Sequence, residues 1–184
     1  MINSGQGWLS SIKKKNIKII NGRGDLFWIT ALNSSDKRIS DIPNLDCFGM
    51  SMDDFCAAEF LAEFLYKYFD PSIQKREEYE PPEFDWYDAN LFTFDSVRRM
   101  LSDIKQTVAM LQEDHNNPSL AQIKENWTLH RFTDKAKFEL TAEELNEVEK
   151  RMVLIAVDFY ERFCSRMENM LKIPENDIVT FTGP

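Results

Sequence analysis

Apolar residues recur at spacings of three and four along three stretches of the chain, which places them on one face of an α-helix. These stretches are residues 51–69, 96–114 and 141–172. Ser51 with Asp54, and Thr141 with Glu144, resemble the capping boxes that begin helices. Broad apolar faces must be covered by mutual packing, so the pattern predicts a mainly α fold, a bundle of three to five helices.

The third of these stretches has the widest apolar face. Nearly every position from 152 to 160 is apolar, which predicts a helix segment surrounded on most sides. A shorter helix is predicted from Pro118 to Asn126, since proline suits the first turn of a helix.

The first fifty residues favour a small β element instead. An apolar run at 17–20 is followed by Asn21-Gly22 and a second apolar run at 26–32. Asn-Gly between two apolar runs is typical of a hairpin, and a helix over 25–32 is the competing interpretation. Residues 33–49 read as a loop, and the alternating tail at 177–182 predicts a strand that joins the hairpin.

These elements predict one domain of 184 residues. A basic arm with the hairpin and loop covers 1–50, the helical core covers 51–173, and the tail covers 174–184. The first forty residues carry a net charge of +5, so the remainder carries −14 of the total of −9. This favours attraction between the two parts within one fold, and contact of the arm with an anion or an acidic partner is the alternative.

The acidic balance also bears on partners and compartment. A basic cluster at 13–23 is opposed by the acidic remainder, which disfavours nucleic acid as a partner. The longest apolar run, 152–157, is far shorter than the roughly 20 residues of a membrane helix, so no membrane partner is expected. Three cysteines, Cys47, Cys56 and Cys164, cannot all pair, which indicates reduced thiols and a cytoplasmic location.

No catalytic motif is present in the sequence. His115 and His130 have no second histidine or cysteine at metal-ligand spacing, and His115 is explained by the favourable field at a helix end. Neither a nucleophile elbow nor a phosphate-binding loop occurs. The sequence therefore predicts no catalytic residue, no metal and no cofactor.

Two sets of carboxylates are candidates for chemistry. Asp158 lies in the most apolar part of the third helix and is a possible buried carboxylate, although Arg162 four residues later favours a structural ion pair. Glu59 and Glu63 share one helix face at metal-ligand spacing. With Lys67 four residues further on, a solvated polar stripe is the favoured interpretation.

The segment at 77–95 interleaves acidic and aromatic residues. The residues predicted to bind a partner are Phe84, Asp85, Trp86, Tyr87 and Asp88. Rings of this kind anchor protein interfaces, and carboxylates steer a basic surface towards them. The alternative is a connector whose rings only cover the ends of the helices.

These observations favour a non-catalytic cytoplasmic protein that binds another protein, as an inhibitor or an immunity protein does. The rival hypothesis is an enzyme, or a ligand- or metal-binding helical bundle, that uses Asp158, Glu59 or Glu63.

Overall fold

The computed structural model describes residues 26–34, 49–74, 82–129 and 132–183, and within them the fold is mainly α with a small antiparallel sheet. The helices are α1 (Asp54–Tyr68), α2 (Phe94–Glu113), α3 (Ala121–Glu125) and α4 (Ala142–Met170). The strands are β1 (Leu26–Leu32), β2 (Gly49–Asp53), β3 (Ala89–Thr93) and β4 (Ile178–Thr182). The predicted fold class is confirmed.

Side-chain caps begin the two longest helices. The Thr93 hydroxyl accepts a hydrogen bond from the Ser96 amide at 3.1 Å at the start of α2. Both bonds of the predicted capping box between Thr141 and Glu144 are present at the start of α4. The predicted helix start at Ser51 is wrong, because that residue lies in β2 and α1 begins three residues later.

The four strands form one antiparallel sheet in the order β2-β1-β4-β3. The strand predicted in the tail is confirmed as β4, which lies between β1 and β3 with Thr182 opposite both Trp28 and Ala89. The competing helix over 25–32 is wrong, since residues 26–32 are extended. The predicted strand at 17–20, its Asn21-Gly22 turn and most of the predicted loop lie outside the described residues.

Strand β3 was not predicted, because it falls inside the segment interpreted as a connector. One edge of this five-residue strand pairs with β4. At its other edge the Gln74 side chain accepts from the Leu91 amide at 2.9 Å and donates to the Leu91 carbonyl at 3.0 Å. The glutamine amide thus takes the hydrogen bonds of a further strand.

The core lies between the sheet and the helices, where α2 packs along α4. Tyr160 of α4 is fully buried and donates its hydroxyl hydrogen to the Phe60 carbonyl of α1 at 2.9 Å. Most of the stretch 152–160 is buried or half-buried, as predicted, whereas Leu154 is 70% exposed. No helix in the described ranges is both long and apolar enough to cross a membrane.

Candidate functional site: an acidic and aromatic surface

The five residues predicted to bind a partner form one turn immediately before β3. Phe84 and Trp86 are half-buried, whereas Asp85, Tyr87 and Asp88 are exposed. The turn therefore separates side chains that pack on the protein from side chains that face solvent. We call the three exposed residues, Asp85, Tyr87 and Asp88, the acidic–aromatic surface.

The two inward rings pack on the C-terminal half of α1. The Phe84 ring lies edge-on to Tyr66 and Phe69, with centroid distances of 5.3 and 5.8 Å. The Trp86 ring lies 5.0 Å from that of Phe84, and its indole nitrogen donates to the Tyr66 hydroxyl at 2.6 Å. Edge-to-face aromatic pairs of this kind are favourable, so these rings hold the turn against the helix. Phe84 and Trp86 thus cover a helix end, which is the alternative interpretation of this segment given by the sequence.

The outward residues are presented in a fixed geometry. Tyr87 is 77% exposed, and its amide donates to the Asp85 carboxylate at 2.8 Å. The Asp88 carboxylate accepts from the Ala89 amide at 2.6 Å. No cation of the described residues pairs with Asp85, so its negative charge remains available at the surface.

The Asn90 side chain holds the backbone of this turn in place, and the sequence analysis did not identify this residue. The side chain is fully buried, and its oxygen accepts from the Asp85 amide at 3.0 Å. Its nitrogen donates to the carbonyls of Asp85, Asp88 and Phe181 at 2.6, 3.0 and 3.1 Å. A single amide therefore ties the turn to β4. The sequence does offer one signal, because Asn90 stands alone between apolar residues. A buried side-chain amide needs several hydrogen-bond partners, so such an asparagine indicates a site that holds nearby backbone in place.

Gly183 closes the turn from the other side. A Cβ atom built on this glycine lies 1.4 Å from the carbonyl oxygen of Trp86, closer than any side chain allows. Only glycine therefore lets the end of β4 approach the backbone of the turn.

Beyond the turn, Tyr66 also lines an open groove of about 670 Å³ between α1, α2 and the segment around α3. Phe64, Met110 and Ile123 supply apolar side chains to this groove, and Glu63 lies beside them. The hydrogen bond between Trp86 and Tyr66 links the turn that carries the acidic–aromatic surface to one residue of the groove lining.

One carboxylate of the groove is already neutralised. Asp103 accepts from the Lys67 ammonium at 2.5 Å and from the Tyr68 hydroxyl at 2.6 Å. These donors, the lysine first, lower the pKa of Asp103, and the same bond raises the pKa of Lys67.

The predicted solvated stripe on α1 is wrong for Glu59. That side chain is only 4% exposed and accepts from the Thr128 amide. Glu63 faces the groove, where its two oxygens accept from Gln122 at 2.6 Å and Asn126 at 3.1 Å. The part of the chain that the structure describes contains no group of three histidine, cysteine or acidic residues that could hold a metal ion.

Asp158, the possible buried carboxylate, is half-buried. Its side chain is 31% exposed and accepts from the Arg162 guanidinium at 3.1 Å, four residues along α4, as the favoured interpretation predicts. The second carboxylate oxygen is buried and has no hydrogen-bond partner among the described residues. An ion pair on one helix explains Asp158 without chemistry.

The remaining reactive side chains have structural surroundings. His115 follows the end of α2, and its ring bonds to the Asn146 side chain of α4 at 2.9 Å, whereas His130 lies outside the described residues. Cys164 is buried, and burial raises the pKa of its thiol to about 11, which disfavours the nucleophilic thiolate.

The chain matches no protein-family profile, no curated protein sequence and no solved structure. No analogy with a known fold therefore bears on the function of the acidic–aromatic surface and the groove.

Proposed function

We propose that this protein is a non-catalytic binding module, of the inhibitor or immunity type, whose acidic–aromatic surface contacts a basic surface of another protein. The observation that carries the proposal is Tyr87, a ring that is 77% exposed on a turn tied down by the buried Asn90. Exposed single rings are common on proteins, but this one stands on a fixed backbone between two exposed carboxylates.

A ring in this setting is suited to anchor an interface. Tyrosine supplies a large contact area with few rotatable bonds, so little conformational entropy is lost when it is buried. The bonds of Asn90 fix the turn before any partner arrives, which lowers the entropy lost on binding further.

The charges favour a basic partner. Asp85 presents beside Tyr87 a carboxylate that no cation of the described residues pairs with, and the whole chain carries −9. Charge of one sign accelerates encounter with the opposite sign and repels its own, so a basic protein is favoured and nucleic acid is disfavoured.

The proposed compartment is the cytoplasm. An odd number of cysteines, with Cys164 buried as a thiol, fits a reducing environment better than an oxidising one.

The rival hypothesis, a carboxylate enzyme or a ligand- or metal-binding bundle, has less support. Asp158 is paired with Arg162, and Asp103 with Lys67. Glu59 is buried, and its carboxylate accepts a hydrogen bond from a backbone amide. A metal version of this hypothesis predicts stoichiometric metal in protein purified without chelators, and its absence there would remove that version.

Affinity capture tests the proposal with matched variants. The full chain is immobilised, and proteins retained from a lysate of the cells that make it are compared between wild type and the double variant Asp85→Asn with Tyr87→Ala. Asparagine keeps the acceptor for the amide of residue 87 and removes only the charge. The control is Glu125→Gln with Phe138→Ala, which removes one exposed charge and one exposed ring elsewhere.

The expected result is a basic protein retained by wild type and by the control, and lost with the double variant. A partner retained equally by all three chains would contradict the proposal.

A further inference from the structure

The groove between α1, α2 and α3 combines apolar side chains with two carboxylates, of which Asp103 already pairs with Lys67. Phe64 contributes a side chain of the core to the groove, and Met110 and Ile123 are half-buried beside it. Such a surface accepts the aliphatic part of a side chain whose polar end stays near water.

The other carboxylate, Glu63, forms no ion pair with any of the described residues. Lys67 lies four residues along α1, at ion-pair spacing, but its ammonium binds Asp103 at 2.5 Å instead. Among the described residues, the donors to Glu63 are the neutral amides of Gln122 and Asn126. They fix the position of the carboxylate without neutralising it.

The carboxylate also has room for further donors. A carboxylate has about four lone-pair sites, and the two amides occupy one site on each oxygen. A guanidinium donates two parallel hydrogen bonds to a carboxylate, which a compact ammonium does not.

Tyr66 supplies a ring beside that carboxylate. It stands three residues after Glu63, so the two side chains are neighbours on one helix face, and it is half exposed at the rim of the groove. A guanidinium held at a carboxylate within reach of an aromatic face gains a cation–π contribution as well.

We propose that this groove binds an arginine side chain of the basic partner, with the aliphatic stem on Met110 and Ile123 and the guanidinium between Glu63 and Tyr66. The inference rests on the proposed function, because the partner would reach the groove from the neighbouring turn, to which Tyr66 is linked by its bond with Trp86. The proposal adds that the residue of the partner that enters the groove is an arginine.

A short peptide with two arginines tests the groove without the partner. The full chain is labelled with ¹⁵N and titrated with this peptide, and separately with the same peptide carrying citrulline, which has nearly the same shape without the charge. We expect the arginine peptide to shift the amide signals of α1 and α3 around the groove, and the citrulline peptide to bind much more weakly.

Two variants and a control separate the effect of the Glu63 charge from the effect of the room in the groove. Glu63→Gln keeps an acceptor for one neighbouring amide and should weaken the arginine peptide roughly fivefold, the upper range for a partly exposed ion pair. Ser119→Trp narrows the groove and should abolish the shifts there, whereas Glu125→Gln on α3 should bind like wild type.

Equal binding of the citrulline peptide, unchanged affinity in Glu63→Gln, shifts confined to another face, or no shifts at millimolar peptide would each overturn the groove proposal. Capture of the partner that depends on Tyr87 but not on Glu63 would leave the proposed function standing and remove only this inference. If the peptide binds in the groove but capture of the partner does not depend on Tyr87, the proposed function is removed and the arginine site in the groove stands.

Discussion

Asp85 and Asn90 exchange two hydrogen bonds across the turn that carries the acidic–aromatic surface. The Asp85 amide donates to the Asn90 side-chain oxygen at 3.0 Å, and the Asn90 side-chain nitrogen donates to the Asp85 carbonyl at 2.6 Å. The same nitrogen reaches Phe181 of β4 at 3.1 Å. The position of Tyr87 therefore depends on a residue that never reaches the surface.

Replacing Asn90 with alanine should destabilise the protein and loosen the turn. The change removes four hydrogen bonds to half-buried and buried backbone groups, so we expect a loss of about 2–3 kcal/mol in the free energy of unfolding. Urea denaturation measures this loss, and hydrogen exchange of the Tyr87 amide should become faster. The exposed Asn169→Ala is the control and should change stability by less than about 0.5 kcal/mol. An Asn90 variant as stable as this control would contradict the role given to the side chain.

Replacing Gly183 with alanine should also destabilise the protein, by displacing the Trp86 backbone. A Cβ atom at this position meets the Trp86 carbonyl oxygen at 1.4 Å. Overpacking of this kind typically costs about 1–3 kcal/mol in stability. The φ angle at Gly183 is not positive, so backbone preference alone predicts a slight gain instead. Thermal unfolding decides between overpacking and backbone preference. A variant more stable than wild type would show that the turn moves aside without a loss of stability.

Local signals in the sequence were sufficient for the helices. The capping box at Thr141 and the apolar spacing after it fix α4, and the apolar spacing along residues 96–114 indicates α2. Strand β3 was missed because its pairing depends on β4, which lies far away in sequence, and on the side chain of Gln74. At Ser51 the capping pattern was misleading, since pairing of β2 with β1 takes that residue into the sheet.

The five residues predicted to bind a partner lie in one turn, and their role in binding stays a prediction. The sequence does not show that Phe84 and Trp86 face inward while Tyr87 faces outward. The partners of Glu59 and Glu63 come from the segment around α3, more than fifty residues later. Helix spacing paired Lys67 with Glu63, whereas tertiary packing gives it Asp103.

The start of α4 should make stability sensitive to acid. Contacts with the Lys135 ammonium and the Thr141 amide hold the pKa of Glu144 at about 2, below its ordinary value of 4.5. A lowered pKa contributes stability above the unfolded value, and the contribution is lost as pH falls through the folded value. Between about pH 5 and pH 2 the urea midpoint of wild type should therefore fall more than that of Glu144→Gln. Glu143→Gln, in the same turn, should follow wild type, and equal slopes for all three chains would contradict the assignment.

The buried ion pair between Lys124 of α3 and Glu149 of α4 should be costly to break on one side only. Their side chains are 14% and 10% exposed, and the lysine also donates to the His115 carbonyl at 3.2 Å. Glu149→Leu strands a buried cation and should cost about 3 kcal/mol. The double variant Lys124→Met with Glu149→Leu should recover most of that loss. Chemical denaturation of the four chains measures the coupling, and a double variant no better than the single one would contradict it.

Hydrogen exchange on the complex with the captured protein shows whether the partner covers the turn at 84–88. On binding, the amides of Tyr87 and its neighbours in the turn should become protected, together with those of α1 near Tyr66. The exposed side of α4 around Leu154 should exchange as in the free chain. Protection centred on α4, with the turn unchanged, would contradict the account.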